Sequence, residues 1–125
     1  MPFSIVNETK TALPRADFAA IARFILGMKY TLNLVVTDST RIKKLNTIYR
    51  DKETATDILS FPLSETEGEI YISPVEARQE AKKFKRDYEN FFVFLFIHGC
   101  VHLKGYDHGA IMERTEEKAR LKFGI

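Results

Sequence analysis

All three histidines of this 125-residue chain, His98, His102 and His108, lie within a stretch of eleven residues. His98 and His102 are four residues apart, so on an α-helix their imidazoles share one face and can reach the same ion. On a β-strand the same spacing would separate the two side chains by roughly 13 Å. Gly105 predicts the end of this helix and a reversal of the chain that brings His108 back toward the pair. The stretch therefore predicts an open site in which three histidines hold one divalent metal ion, with zinc preferred.

The spacing HxxxHxxGxxH also occurs in the metzincin proteases, where a glutamate follows the first histidine and acts as general base. In this chain that position is Gly99. A peptidase hypothesis therefore keeps the metal ligands but loses the base. The adjacent Cys100 could be an extra ligand, although its place inside an apolar helix favours the role of a small buried side chain.

Length and composition predict one globular domain over residues 1–125, because the 45% of hydrophobic residues can build a single core. Cys100 is the only cysteine, which excludes an intrachain disulfide and suits a reducing compartment. The first residues lack the features of a signal peptide, and no apolar run approaches the ~20 residues of a membrane span. We therefore expect a soluble, cytoplasmic protein without a membrane partner.

The formal net charge of +2 does not by itself identify a nucleic-acid-binding protein. Basic residues instead form two local clusters. These are Arg41, Lys43 and Lys44, and Lys82, Lys83, Lys85 and Arg86. Each cluster could follow a phosphate backbone or form a solvated helix face, and the solvated face is the preferred interpretation.

The order of apolar and polar residues predicts an α+β fold in a single small domain that begins β-α-β-α, with about four strands in a mixed sheet and about five helices. Strands are expected at residues 4–7, 31–37, 58–61 and 69–73, with an acidic, glycine-bearing turn between the last two. Helices are expected at residues 14–28, 74–86, 91–104 and 110–121, and in a segment that Asp38 or Ser39 caps and that carries Ile42, Leu45, Ile48 and Tyr49. The helix at residues 74–86 has a sparse apolar side made of Val75, Ala77, Ala81 and Phe84.

Residues 91–97, Phe-Phe-Val-Phe-Leu-Phe-Ile, would favour a strand by propensity alone. The run continues without a helix breaker into His98 and His102, and only a helix places these two side chains together. We therefore predict one helix over residues 91–104, apolar all round and buried in the centre of the domain.

Two separated motifs resemble those of the YbeY family of metal-dependent endoribonucleases, which act in the maturation of ribosomal RNA. The first is HGCVHLKGYDH at residues 98–108, close to the family's HGxLHLxGYDH. The second is LNTIYR at residues 45–50 leading to TDILSFP at residues 56–62, close to LNxxYRxxDxPTDVLSFP. Further matches at residues 68–70 and 112–116 extend the similarity from about residue 34 to the C-terminus. The chain departs from the pattern at Glu53, Ala55, Glu69 and Cys100.

The resemblance implies a zinc ion held by His98, His102 and His108, with Arg50 in the same cleft as the main contact to an RNA phosphate. Arg50 and His102 are then the expected catalytic residues. Asp107 is expected either to orient His108 or to cap a turn. From the residues alone, the preferred interpretation of Arg50 is an arginine at a helix end, where the dipole favours it, and the family motif reverses that preference.

The function implied by the resemblance is a single-strand-specific, zinc-dependent endoribonuclease that processes ribosomal RNA precursors during ribosome maturation. Its partners would be RNA and a ribosomal subunit or ribosome-associated proteins. Two alternatives stay open: a zinc hydrolase of another class, such as a peptidase or amidase, and a ribosome-associated binding protein whose metal is structural. The sequence carries no signal for a particular oligomeric state.

Overall fold

The structure, a computed structural model, describes residues 1–105 and 109–125 of the chain. Within these residues it contains one mixed sheet of four strands and five helices. In chain order they are β1 (Phe3–Asn7), α1 (Phe18–Leu26), β2 (Thr31–Val36), α2 (Ser39–Arg50), β3 (Ile58–Ser64), β4 (Glu67–Ile72), α3 (Pro74–Lys83), α4 (Tyr88–Leu103) and α5 (Ala110–Phe123). The predicted α+β fold and its β-α-β-α beginning are confirmed. Across the described residues, no helix combines the length and apolarity that a membrane span requires.

The sheet has the strand order β1-β2-β4-β3, in which β1, β2 and β4 are parallel and β3 is antiparallel to β4. Because side chains alternate between the faces of a strand, Leu34 and Ile70 join the main core, whereas Val35 and Tyr71 join a smaller cluster on the other face. Helix α4 belongs to the first face, and Ile42 of α2 packs on the second. The edge strand β3 contacts both helices.

Helix α4 lies at the centre of the main core, where it contacts α1, α3, α5, β3 and β4. Ten of its 16 residues are buried. Asp87 caps the helix by accepting a hydrogen bond from the backbone N–H of Asn90 at 2.8 Å. Phe96 packs edge-on against Phe18, with ring centroids 5.1 Å apart. Burial of its aromatic side chains outweighs their strand propensity, and the helix predicted over residues 91–104 is present.

Helix α1 is shorter than the helix predicted over residues 14–28. It begins directly after Asp17, whose side chain caps it by accepting a hydrogen bond from the backbone N–H of Ala20 at 3.0 Å. Pro14 is buried ahead of the helix and does not open it. Gly27 ends the helix with a φ of 89°, a conformation that glycine adopts without strain.

Helix α3 ends before the predicted residue 86. Lys85 has a φ of 54°, and the backbone N–H of Arg86 turns back to the carbonyl of Ala81 at 3.1 Å. The predicted apolar side of this helix is only half right, because Ala77 and Ala81 are buried and the other two members are about half exposed. The two exposed members are Val75 and Phe84.

The hairpin of β3 and β4 has a tighter turn than predicted, which leaves Gly68 inside β4. A Cβ atom at Gly68 would collide with the Tyr30 hydroxyl and approach Leu103 Cδ2 to 3.0 Å. The expectation that this glycine shapes the turn is wrong. Its role is to make room for two neighbouring side chains.

Candidate active-site cleft

A cleft with a volume of about 420 Å³ lies along the edge strand β3, and it is also lined by the last residue of α2 and the last turn of α4. It brings together Arg50, His98 and His102, three of the site residues predicted from the sequence. The other lining residues are Thr56, Ile58, Leu59, Ser60, Pro62 and Leu103. The cleft therefore joins the two sequence motifs, which are separated along the chain.

The imidazoles of His98 and His102 meet in this cleft, with their Nε2 atoms 3.1 Å apart. Two nitrogens bound to one tetrahedral zinc ion at about 2.05 Å are separated by about 3.3 Å. The pair therefore fits two ligands of one ion without a change in the helix. The i to i+4 spacing on α4 accounts for this arrangement.

The third predicted ligand, His108, lies outside the described residues, as does Asp107. Within residues 1–105 and 109–125, no group of three histidine, cysteine, aspartate or glutamate side chains is placed to hold a metal ion. The described part of the chain supplies two of the three predicted ligands. The three-histidine zinc site stays a prediction.

Glu116 on α5 is a site residue to which the sequence analysis assigned no role. Its Oε1 atom accepts a hydrogen bond from Nδ1 of His98, and its Oε2 lies 3.6 Å from Nη1 of Arg120. Glu116 is 9% exposed. A proton held on Nδ1 by this carboxylate leaves Nε2 as the ligand atom and fixes the ring orientation, as expected for a metal-binding histidine.

A sequence signal for Glu116 does exist, since it lies between Met112 and Ala119 at helical spacing. Both neighbours are buried, so the glutamate occupies the apolar face of α5. A carboxylate on such a face needs a partner, because an isolated buried charge is strongly unfavourable. One partner, Arg120, lies four residues further along α5, whereas the other, His98 on α4, is not identified by the sequence pattern.

Gly99, at the position of the protease's glutamate, packs closely against β3 and β4. A Cβ atom there would lie 2.9 Å from Ile58 Cδ1, 3.0 Å from Ser60 Oγ and 3.1 Å from Ile70 Cδ1. The Ser60 hydroxyl donates to the Gly99 carbonyl at 3.4 Å. A larger side chain at this position, including the carboxylate that a peptidase would use, would therefore require the side chains of β3 and β4 to shift.

Arg50 is an exposed residue at the end of α2, where Asp51 takes a left-handed conformation with a φ of 55°. The loop that follows is held by Asn46, whose Nδ2 donates to the carbonyl of Thr54 at 2.9 Å. Asn46 is 2% exposed. This buried amide anchors the loop although Ala55 replaces the family's proline.

Asp57 is a partly buried carboxyl group at the start of β3, between two residues that line the cleft. Burial raises the pKa of Asp57, and the negative charge of Glu80 raises it further. Hydrogen bonds from the backbone of Asp57 and Ile58, and the proximity of His98, act in the opposite direction. The net effect disfavours the ionised form of Asp57 in the folded protein.

Cys100 is completely buried in the main core. Burial raises the pKa of its thiol, which disfavours the thiolate that a metal ligand requires. The structure therefore supports the role of a small buried side chain.

The two basic clusters each give one arginine to intramolecular contacts. Arg41 forms an ion pair with Glu8. Arg86 donates to the carbonyl of Ile125 at 3.1 Å and lies 4.5 Å from the ring centroid of Phe94. These two arginines contribute to contacts within the fold, and no residue of either cluster is among the residues that line the cleft.

Residues 5–122 match the family model described as endoribonuclease YbeY. The chain belongs to the YbeY family. It is 31% identical to a protein named endoribonuclease YbeY from Finegoldia magna, with 96% of this chain and 86% of the relative covered. A relative of the same name from Aster yellows witches'-broom phytoplasma is 32% identical, with 100% of this chain and 89% of the relative covered.

A solution structure of a protein from Thermotoga maritima has the same fold as this chain. The TM-score is 0.68 and the sequence identity is 27%, with 94% of this chain and 85% of that chain covered. The family resemblance read from the two motifs is confirmed by these comparisons.

Proposed function

We propose that this chain is a zinc-dependent endoribonuclease that cleaves single-stranded RNA in the processing of ribosomal RNA precursors. Membership of the YbeY family supports the endoribonuclease activity. The observation that carries the proposal is that Arg50, His98 and His102 line one cleft. A metal-binding pair next to a guanidinium is suited to a phosphodiester substrate.

The proposed zinc ligands are His98 and His102, with His108 as the third ligand expected from the sequence. The Nε2 separation of 3.1 Å supports the first two. A bound zinc ion would supply Lewis acidity toward the phosphate and activation of water at neutral pH. The chain itself fixes the two imidazoles, because the helix sets their spacing and Glu116 sets the orientation of the His98 ring.

The proposed role of Arg50 is to bind the phosphate that is to be cleaved. Its planar guanidinium can donate two parallel hydrogen bonds to phosphate oxygens, and its positive charge stabilises the negative charge that grows in phosphoryl transfer. Arg50 is exposed on the cleft wall, so it can reach a substrate without being released from a buried contact.

The more specific parts of the proposal rest on the resemblance to the family. They are the ribosomal RNA precursor as substrate, a ribosomal subunit or ribosome-associated protein as partner, and a cytoplasmic location. The single, buried Cys100 is consistent with that location, since the chain needs no disulfide.

The peptidase alternative has less support, because the position of the protease's general base is Gly99, which carries no carboxylate and packs closely against the sheet. The second alternative is a ribosome-associated binding protein with a structural metal. Such a protein would bind metal and RNA as the proposed enzyme does, but it would not cleave the RNA. A cleavage assay therefore separates it from the proposed function.

The decisive experiment compares single-turnover cleavage of a structured RNA with single-stranded loops by the natural protein, His102→Ala and Arg50→Lys. We expect cleavage by the natural protein, loss of zinc and of cleavage in His102→Ala, and retained zinc with slow cleavage in Arg50→Lys. Thr40→Ala, an exposed and uncharged position on the same helix, serves as the control.

Zinc binding without RNA cleavage by the natural protein would reject the nuclease and favour the binding protein. Cleavage that His102→Ala leaves intact would show that the activity does not come from this cleft.

A further inference from the structure

Tyr49 is a large aromatic side chain that is 65% exposed on the last turn of α2, directly before Arg50. Its ring packs on Phe61 of β3, with centroids 5.1 Å apart and a tilt of 59°. Phe61 in turn contacts the ring of Tyr71 at 5.6 Å. The rings beneath Tyr49 therefore fix its position, while most of its surface faces solvent.

Tyr49 directly precedes Arg50, a residue that lines the cleft. Consecutive residues point about 100° apart around a helix, so Arg50 lines the cleft while Tyr49 lies over Phe61. Phe61 itself is flanked in β3 by Ser60 and Pro62, which both line the cleft. The aromatic ring and the guanidinium are thus adjacent but face different directions.

A nucleotide has the same arrangement, because its phosphate and its base leave the sugar in different directions. A phosphate bound at Arg50 would bring a neighbouring base within reach of the exposed ring of Tyr49. We propose that Tyr49, supported by Phe61, is a stacking platform for an unpaired nucleobase next to the phosphate that Arg50 holds. This inference rests on the proposed function, since it assigns a second contact to the same RNA.

The chemistry of such a contact matches a single-stranded substrate. Bases of a duplex already stack on their neighbours, whereas unpaired bases present a face to aromatic side chains. Stacking tolerates all four bases, because each has a π face. Tyr49 therefore favours unpaired RNA over duplex RNA without selecting a sequence.

The chain contains no tryptophan, so Tyr49→Trp introduces a single fluorescent reporter at the proposed platform. Stacking of a base on the indole should quench its fluorescence when the zinc-loaded protein is mixed with a short single-stranded RNA. Phe24→Trp is the matched control, because Phe24 is 40% exposed and packs on Phe123, which is not among the residues of the cleft. Its fluorescence should not change.

Affinity for the same RNA gives the second readout. Tyr49→Ala should weaken binding by about 5- to 100-fold, the usual effect of removing one stacked base contact. Tyr49→Phe keeps the ring and should bind normally. Ile48→Ala, at a neighbouring residue that is 61% exposed, should have no effect. An abasic nucleotide can be placed at successive positions of the RNA, and at one of these positions it should weaken binding to the natural protein. The affinity of Tyr49→Ala for the RNA should not change when the abasic nucleotide is at that position.

The outcomes separate this inference from the proposed function. Cleavage by the natural protein, together with an unquenched Tyr49→Trp and unchanged affinity of Tyr49→Ala, would overturn the platform and leave the nuclease intact. Quenching without cleavage would support the platform and reject the nuclease. If the natural protein neither binds nor cleaves RNA, both proposals are wrong.

Discussion

Replacement of Glu116 by glutamine tests whether this buried carboxylate prepares His98 for a metal ion. Glutamine has nearly the same shape, and its amide oxygen can still accept a hydrogen bond from Nδ1 of His98. The substitution removes the negative charge that makes this contact strong and that faces Arg120. The fold should be retained, since the side chain still fills the same space.

The expected effect of Glu116→Gln is a loss of zinc affinity. Loss of the partner that orients a metal-binding histidine costs about 10- to 100-fold in metal affinity, or about 1.4 to 2.7 kcal/mol. Glu116→Gln keeps an acceptor and should fall near the tenfold end of this range. Glu116→Ala removes the acceptor and should fall near the hundredfold end.

Zinc affinity is best measured by competition with a chromophoric chelator, at constant pH and ionic strength. Glu117→Gln is the matched control, because it is the same change at the next residue of α5, where the side chain is exposed. Circular dichroism of each variant without metal checks that the helices are intact. If Glu116→Ala binds zinc as tightly as the natural protein, the carboxylate does not orient His98 for a metal.

Three further predictions concern other parts of the cleft. Arg50→Ala should reduce the rate of RNA cleavage by about 100-fold or more while zinc content and melting temperature stay unchanged. Arg50→Lys should recover little of that rate, because lysine lacks the planar guanidinium. Normal cleavage by both variants would remove Arg50 from the mechanism. Gly99→Ala should lower the free energy of unfolding by about 1 kcal/mol, because the cost of overpacking against Ile58 and Ser60 exceeds the gain in helix propensity. Thermal unfolding measures this change, and a higher melting temperature would contradict the packing argument. Asp57→Asn should raise the melting temperature at pH 7, because a carboxyl whose pKa is raised by folding destabilises the fold once it ionises. The gain in melting temperature should vanish as the pH falls below the ordinary aspartate pKa of about 3.9. A gain that is equal at pH 7 and pH 3.5 would refute this explanation.

The spacing of two histidines predicted more of the structure than the propensity of their neighbours did. Residues 91–97 have the composition of a strand, and the requirement that His98 and His102 share one face indicated a helix. Two side chains that are to bind one ion must share one face, and this holds for any composition of the surrounding residues. The resulting helix is the one on which the other described helices of the main core and two strands pack.

Helix boundaries were less predictable because competing signals stand close together. Pro14 and Asp17 can both open a helix, and the cap at Asp17 decides the start of α1. Similarly, Ile48 and Tyr49 have helical spacing with buried residues, yet both are exposed at the end of α2. Apolar spacing predicts which face a residue occupies, but it does not predict whether another element covers that face.

The contacts that complete the cleft were not predictable from local patterns, because they join elements distant in sequence. Glu116 meets His98 across the packing of α5 on α4, and Asn46 reaches Thr54 beyond the end of its own helix. In both cases the sequence shows a polar group on a buried face, which requires a partner. The identity of the partner depends on the tertiary structure.

The surroundings of the histidine pair explain how a spacing shared with proteases can serve a different chemistry. In this fold the residue after the first histidine is Gly99, which packs closely against β3 and β4 and supplies no general base. The end of α2 also lines the cleft, and it contributes the cation of Arg50. A cation beside a metal ion repels an ammonium or a second metal but attracts a phosphodiester. Gly99 therefore weighs against a peptidase and the charge of Arg50 favours a phosphodiester, and each can be tested without the other.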